Sequence, residues 1–221
     1  MARSVADCAL FAGAVSGRDL GDPDSRPDQA PRIGFCRSPV WEYAAPETQS
    51  LLQDAAGRLS RAGASVTDFA LPGSFDGLAQ AQGVVMNAQS ARGMGWEMLH
   101  HRDQLSDGLR EKLEWGLAQP PAVLDAALAL FDHTQHAFAE AMGGLDVLIT
   151  PSAAAEAPKG LEWTGDPKFN LLWTALHVPC VTVPAGTGPN GLPLGVQIVG
   201  RIGADRQVLA WAQWVASALA W

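Results

Sequence analysis

Apolar and polar residues recur along this chain with two periods, and the switches between them mark out its elements. Val5 to Val15 reads as a helix with an apolar face, and residues 17–31, rich in Gly, Asp and Pro, read as an exposed loop. Arg32-Ile33-Gly34-Phe35-Cys36 is a short apolar strand. Pro46-Glu47 opens a helix that places Leu51, Leu52, Ala55, Ala56 and Leu59 on one side; Gly63 ends it, and Ser65-Val66-Thr67-Asp68-Phe69 is the next strand. This strand–helix–strand unit needs a right-handed crossover and parallel strands, so the sheet is at least partly parallel and should be covered by helices. Helices are expected to fill much of 75–142, as lid and packing, with a break at Gln119-Pro120-Pro121.

After Gly143-Gly144, Val147-Leu148-Ile149-Thr150 is a buried strand with a polar last residue, and residues 169–176 form an apolar helical stretch ending at His177-Val178-Pro179. Val181 to Val183 and Leu194 to Val199 are two β-rich runs. The Asn190-Gly191 pair between them tolerates the positive φ of a reversing turn, which makes an ordinary hairpin. The expected fold is α/β, a layered, mixed, partly parallel β-sheet covered by helices, in one domain over residues 1–221. Ligands in such folds sit beyond the carboxyl ends of strands, so Thr150 and Ser152 are candidates to line a pocket; a plain strand terminus is the competing reading.

Charge narrows the function classes. The net charge of -8 leaves no basic stripe to neutralise phosphates, which argues against nucleic acid. No apolar run approaches membrane-spanning length, and the first residues alternate as an amphipathic helix rather than a signal peptide, so a cytoplasmic address is expected. Cys8, Cys36 and Cys180 are odd in number and widely spaced, which fits reduced thiols better than disulfides or a zinc site. His133 and His136, three apart on a helix with Asp132 and Glu140 nearby, are a weak metal pattern; zinc helices more often space ligands by four, and no metal or cofactor is expected. Eight tryptophans, and 48% hydrophobic against 17% charged residues, leave more apolar surface than charges can mask. Association, with a second copy or a complementing partner, is the expected remedy.

The order Pro184-Ala185-Gly186, Asn190-Gly191, Leu192-Pro193-Leu194-Gly195-Val196-Gln197, followed by a helix, resembles the closing strands of the amidase signature hydrolases. Ala2-Arg3-Ser4-Val5-Ala6-Asp7 is similar to the segment that follows their nucleophile region, and Asp146-Val147-Leu148-Ile149-Thr150-Pro151 to a later strand. The resemblance implies amide-bond hydrolysis in full-length relatives through a Ser nucleophile, an acyl-enzyme and a backbone oxyanion hole. It also implies that this chain matches only their C-terminal portion, an amidase-like domain incomplete at its N-terminal side. The Lys, bridging Ser and nucleophilic Ser belong to the preceding portion.

Residue by residue, no substitute for that set is found. The twelve serines include no Ser-Ser pair and none flanked by Gly at both plus and minus two, and Lys112, Lys159 and Lys168, the only lysines, sit in no apolar strand. No catalytic residue is therefore expected in this chain, and Met1 reads as an internal methionine of a longer amidase. The family generally has Gly where His177 stands and often Asn, near the substrate, where Thr174 stands, so Trp173 and Thr174 join Thr150 and Ser152 as the expected substrate-binding residues. The implied partners are a small amide substrate and either a second copy or the complementing N-terminal part. The alternative is a non-catalytic binding or assembly protein, or a truncated gene product without selected activity.

Overall fold

Ser4 starts the first helix, α1 (Val5–Ser16): its hydroxyl accepts from the Asp7 N–H at 3.0 Å, and Gly17 closes the helix at φ 68. The computed structural model describes residues 2–22, 27 and 29–220, so Met1, Trp221 and part of the expected 17–31 loop lie outside the described residues. The other elements are β1 (Arg32–Cys36), α2 (Pro46–Arg61), β2 (Ser65–Phe69), α3 (Leu78–Gly93), α4 (Gly95–His100), α5 (Asp107–Leu117), α6 (Pro121–Ala141), β3 (Val147–Thr150), α7 (Lys168–Ala175), β4 (Cys180–Thr187), β5 (Pro193–Val199) and α8 (Asp205–Ala218).

The strands form one sheet in the order β2-β1-β3-β5-β4. β1 is parallel to both β2 and β3, whereas β5 is antiparallel to β3 and β4, so the sheet is mixed as the sequence pattern predicts. Because successive strand residues face opposite sides, the sheet sorts its side chains into two layers. Ile33, Phe35, Val147, Ile149, Val183, Val196 and Ile198 pack with α1, α2 and α8. Leu148 and Val199 face the other way, into a layer closed by α3, α6 and α7 around Phe138 and Trp173. Each of these large buried side chains contributes on the order of 1.5–3 kcal/mol before ordering costs.

Local chemistry ties the layers together. Arg32 at the start of β1 grips Asp146 through Nε at 3.2 Å and Nη2 at 2.8 Å, while its own N–H donates to the same carboxylate at 2.8 Å. That bond from Arg32 holds the Asp146 carboxyl below the usual carboxylate range. Gly116 lets α5 approach α3 so closely that a Cβ there would fall inside contact distance of the Asn87 carbonyl.

One expectation is realised differently. α1 is expected to be amphipathic, yet Val5 and Ala9 turn inward while Leu10, Phe11 and Val15 are 74%, 71% and 73% exposed. Apolar residues occupy both faces of this helix, and α8 covers only one of them. No helix among the described residues is long and apolar enough to cross a membrane.

Candidate functional site

A row of polar side chains runs across the sheet from its centre to its edge. Thr150, the last residue of β3, is in register with Gln197 on β5, and Gln197 is in register with Thr182 on β4. Alternation puts all three on the face that carries Leu148 and Val199. Thr150 is fully buried and Gln197 is 3% exposed, whereas Thr182 is open to solvent. The Thr182 hydroxyl donates to Gln197 Oε1 at 3.4 Å, which leaves Gln197 Nε2 and the Thr150 hydroxyl without a partner among the described residues. Buried polar atoms are ordinarily paired, so such orphans mark a place where the fold gives up stability.

The same layer receives α7. The Asp166 carboxylate accepts from the Lys168 N–H at 2.9 Å and opens the helix; His177, at φ 53, turns the chain toward β4 after it ends. Trp173 is 2% exposed and meets Phe138 edge-on at 6.3 Å, with its indole N–H unpartnered among the described residues. Thr174 lies on the outer side of α7, its hydroxyl donating to the Asn170 carbonyl at 2.9 Å, and Asn170 Nδ2 donates to the Ser152 carbonyl at 2.9 Å. Ser152 and Thr174 are thus joined through Asn170, and Thr150 and Trp173 sit on the same side of the sheet. Asn170 is absent from the sequence expectations; its one signal is a lone amide within an apolar helical run.

Beside β4 lies a groove of about 860 Å³, walled by the first turns of α1, by Cys180 to Pro184 and by Val208, Leu209 and Gln213 of α8. None of the four expected substrate-binding residues lines it; Thr182 does, so the polar row meets the groove there. Among the described residues, its charged lining consists of Arg3 and Asp205. Outside the groove, Glu156 pins the β4–β5 turn, accepting from Asn190 N at 3.0 Å, Asn190 Nδ2 at 2.7 Å and Leu192 N at 2.8 Å.

Nucleophile and base candidates are few. Desolvation pushes the Cys36 thiol up to about 11 and the Cys180 thiol up to about 12, so both are protonated at neutral pH, although Cys180 presents part of its surface to solvent. Lys168 is held by Asp166 at 3.0 Å and sits 3.8 Å from the Tyr43 ring centroid, while Lys112 and Lys159 are exposed. His136 binds its own helix at the Asp132 carbonyl, and His133 beside it is exposed. Among the described residues no three His, Cys, Asp or Glu side chains converge on a metal-sized site.

Known proteins share this fold and much of its sequence pattern. A glutamyl-tRNA(Gln) amidotransferase polypeptide of Granulibacter bethesdensis is 27% identical over 253 aligned positions, covering 95% of this chain and 50% of that protein. Its mitochondrial counterpart from Xenopus laevis is 27% identical over 262 positions, covering 97% and 50%. A crystal structure of an amidase superposes with a TM-score of 0.86 at 24% identity, over 97% of this chain and 51% of that one, a likeness of fold. The chain spans about half the length of the curated relatives it matches. A family model described as Amidase matches residues 1–209, and the chain belongs to that family.

Proposed function

We propose that this chain is the C-terminal portion of an amidase signature hydrolase, a single amidase-like domain that supplies walls of an amide-binding pocket and leaves the covalent chemistry to another portion. The observation that carries the proposal is the pairing of a family match over residues 1–209 with relatives twice as long. The lysine environments agree with it, because none of the three is buried: Lys112 and Lys159 are exposed and Lys168 is paired with Asp166. In this reading Thr150, Ser152, Trp173 and Thr174 shape the acyl side of a small amide substrate. Two of the orphan groups, the Thr150 hydroxyl and the Trp173 indole N–H, are the donors a substrate carbonyl would meet.

The test is complementation. The chain would be joined or co-expressed with a polypeptide carrying a Gly/Ser-rich Lys-Ser-Ser segment, and turnover of simple aliphatic and aryl amides measured. Turnover in the combined protein that falls at least tenfold in Trp173→Ala, with folding retained, supports the reading. Turnover insensitive to all four residues would remove them from the site.

A further inference from the structure

Between β4 and β5 the chain reverses through Gly188-Pro189-Asn190-Gly191. Gly191 N donates to the Gly188 carbonyl at 3.1 Å, and Gly188 N donates to the Leu192 carbonyl at 2.9 Å. Gly191 stands at φ 82, where a residue without Cβ is favoured. The same lack of a Cβ exposes a chemical weakness. Asparagine followed by glycine is the dipeptide in which the next backbone nitrogen reaches a side-chain amide carbon with least hindrance, and a Cβ built at Gly191 would meet nothing within 4 Å.

Residues 180–193 contain no charged side chain, yet the turn closes around one brought from the β3–α7 connection. The Glu156 carboxylate accepts from Asn190 N at 3.0 Å, Asn190 Nδ2 at 2.7 Å and Leu192 N at 2.8 Å. Gly188 makes room for it, since a Cβ there would run into the Glu156 side chain. The carboxylate thus grips the reactive amide itself and the backbone N–H on either side of Gly191.

We propose that Asn190-Gly191 is a site of spontaneous deamidation, that Glu156 guards it, and that modification unfastens the β4–β5 turn. In the reaction the Gly191 nitrogen gives up its proton to solvent and attacks Asn190 Cγ. The Cγ–Nδ2 bond breaks and Nδ2 leaves as ammonia, reprotonated by solvent. Water then opens the five-membered succinimide at either carbonyl, leaving aspartate or isoaspartate. One water enters and one ammonia departs, with no oxidant or cofactor.

Two features of the folded turn oppose the attack. The Asn190 side chain must swing off Glu156 while Gly191 N lets go of the Gly188 carbonyl, which lowers the reactive population by about tenfold or more even after solvent screening. A carboxylate this close also disfavours the amide anion that forms at Gly191. Once the reaction is complete the guard becomes the fault. Aspartate at 190 sets a second carboxylate where Glu156 formerly held an amide at 2.7 Å, and isoaspartate adds a backbone atom inside the hairpin closure. Either product repels Glu156, and the segment from Ser152 to Glu156 keeps only its bonds from Asn170 Nδ2 to the Ser152 carbonyl at 2.9 Å and from Ala45 N to the Ala154 carbonyl at 2.8 Å. Every group involved belongs to this chain, and nothing in the chemistry depends on an amide substrate.

The test is a time course on the purified full chain, warm and mildly alkaline, with aspartate and isoaspartate at position 190 read by peptide mapping. Folded wild type should react at least about tenfold more slowly than the same chain unfolded in urea. Glu156→Ala should recover most of that difference when folded, and Glu156→Gln, which keeps an acceptor without the charge, should recover less. In urea all three should react alike. Asn190→Asp, made directly, should speed amide exchange at Leu192 while leaving the β3 amides unchanged. Equal rates for wild type in the folded and unfolded chain overturn the proposal, as does a folded rate indifferent to both Glu156 variants. A Glu156→Ala chain that fails to fold leaves Glu156→Gln to decide. Exchange at Leu192 unaltered by Asn190→Asp would refute the unfastening.

Discussion

Thr150→Val removes one hydroxyl from the centre of the molecule and changes little else in shape. Thr150 is fully buried between β1 and β5, and its Oγ1 has no partner among the described residues. An unpaired buried hydroxyl costs about 1–3 kcal/mol by mutational measures, and replacing it with a methyl also buries apolar surface. The isolated chain should therefore gain about 1 kcal/mol. For a domain of this size that corresponds to a rise of about 2–4 °C in the thermal midpoint. Scanning calorimetry on wild type and variant reads it directly, with urea unfolding as the second probe. Gln197→Met, which removes the neighbouring orphan amide, should behave in the same direction, and the two changes should not add, because the side chains adjoin across the sheet. A midpoint lowered by a similar amount in Thr150→Val would refute this reasoning. That outcome would mean the hydroxyl is satisfied in the folded chain and stabilises it, and the polar row would then be structural rather than reserved for an incoming group.

Three further outcomes follow from particular contacts. Gly116→Ala should destabilise by about 1–3 kcal/mol, since its Cβ meets the Asn87 backbone rather than a movable side chain; unchanged denaturant unfolding would contradict the close approach of α5 to α3. His177→Gly should leave stability unchanged or raise it by up to about 1 kcal/mol, because φ 53 is strained for any residue with a Cβ, while added freedom in the unfolded chain offsets part of the gain. Stability should fall on acidification below about pH 4. The Arg32 bond depresses the Asp146 carboxyl, and at Glu156 the bonds from Asn190 and Leu192 outweigh desolvation. Their contribution is thus present above the unfolded carboxylate value and lost as pH falls through the folded ones; Asp146→Asn should flatten this slope in urea titrations at pH 3–6.

Local signals carry much of this architecture. The apolar run 147–150, the Asn190-Gly191 turn and the Pro46 helix start each specify an element from neighbouring residues alone, and the structure has β3, the β4–β5 turn and α2 at those places. The left-handed His177 is legible only through the family resemblance, which implies Gly at that position. What local patterns lack is register. Gln197 reads simply as part of a β-rich run, and only its pairing with Thr150 and Thr182 reveals a polar row on the layer closed by α7. Asn170 is silent for a similar reason, since its role depends on where Ser152 lies in space. α1 misleads because periodicity reports which residues are apolar and not which of them find cover.

Membership of an amide hydrolase family without possession of its nucleophile is the condition on which the proposed role of this chain rests. Stopped-flow hydrolysis of a chromogenic aryl amide by the purified chain, at enzyme concentrations high enough to see one equivalent of product, probes that condition without intermediaries. No burst and no turnover above the buffer rate is the expected result. A burst of one equivalent, with an acyl group found on a serine by intact mass, would contradict it.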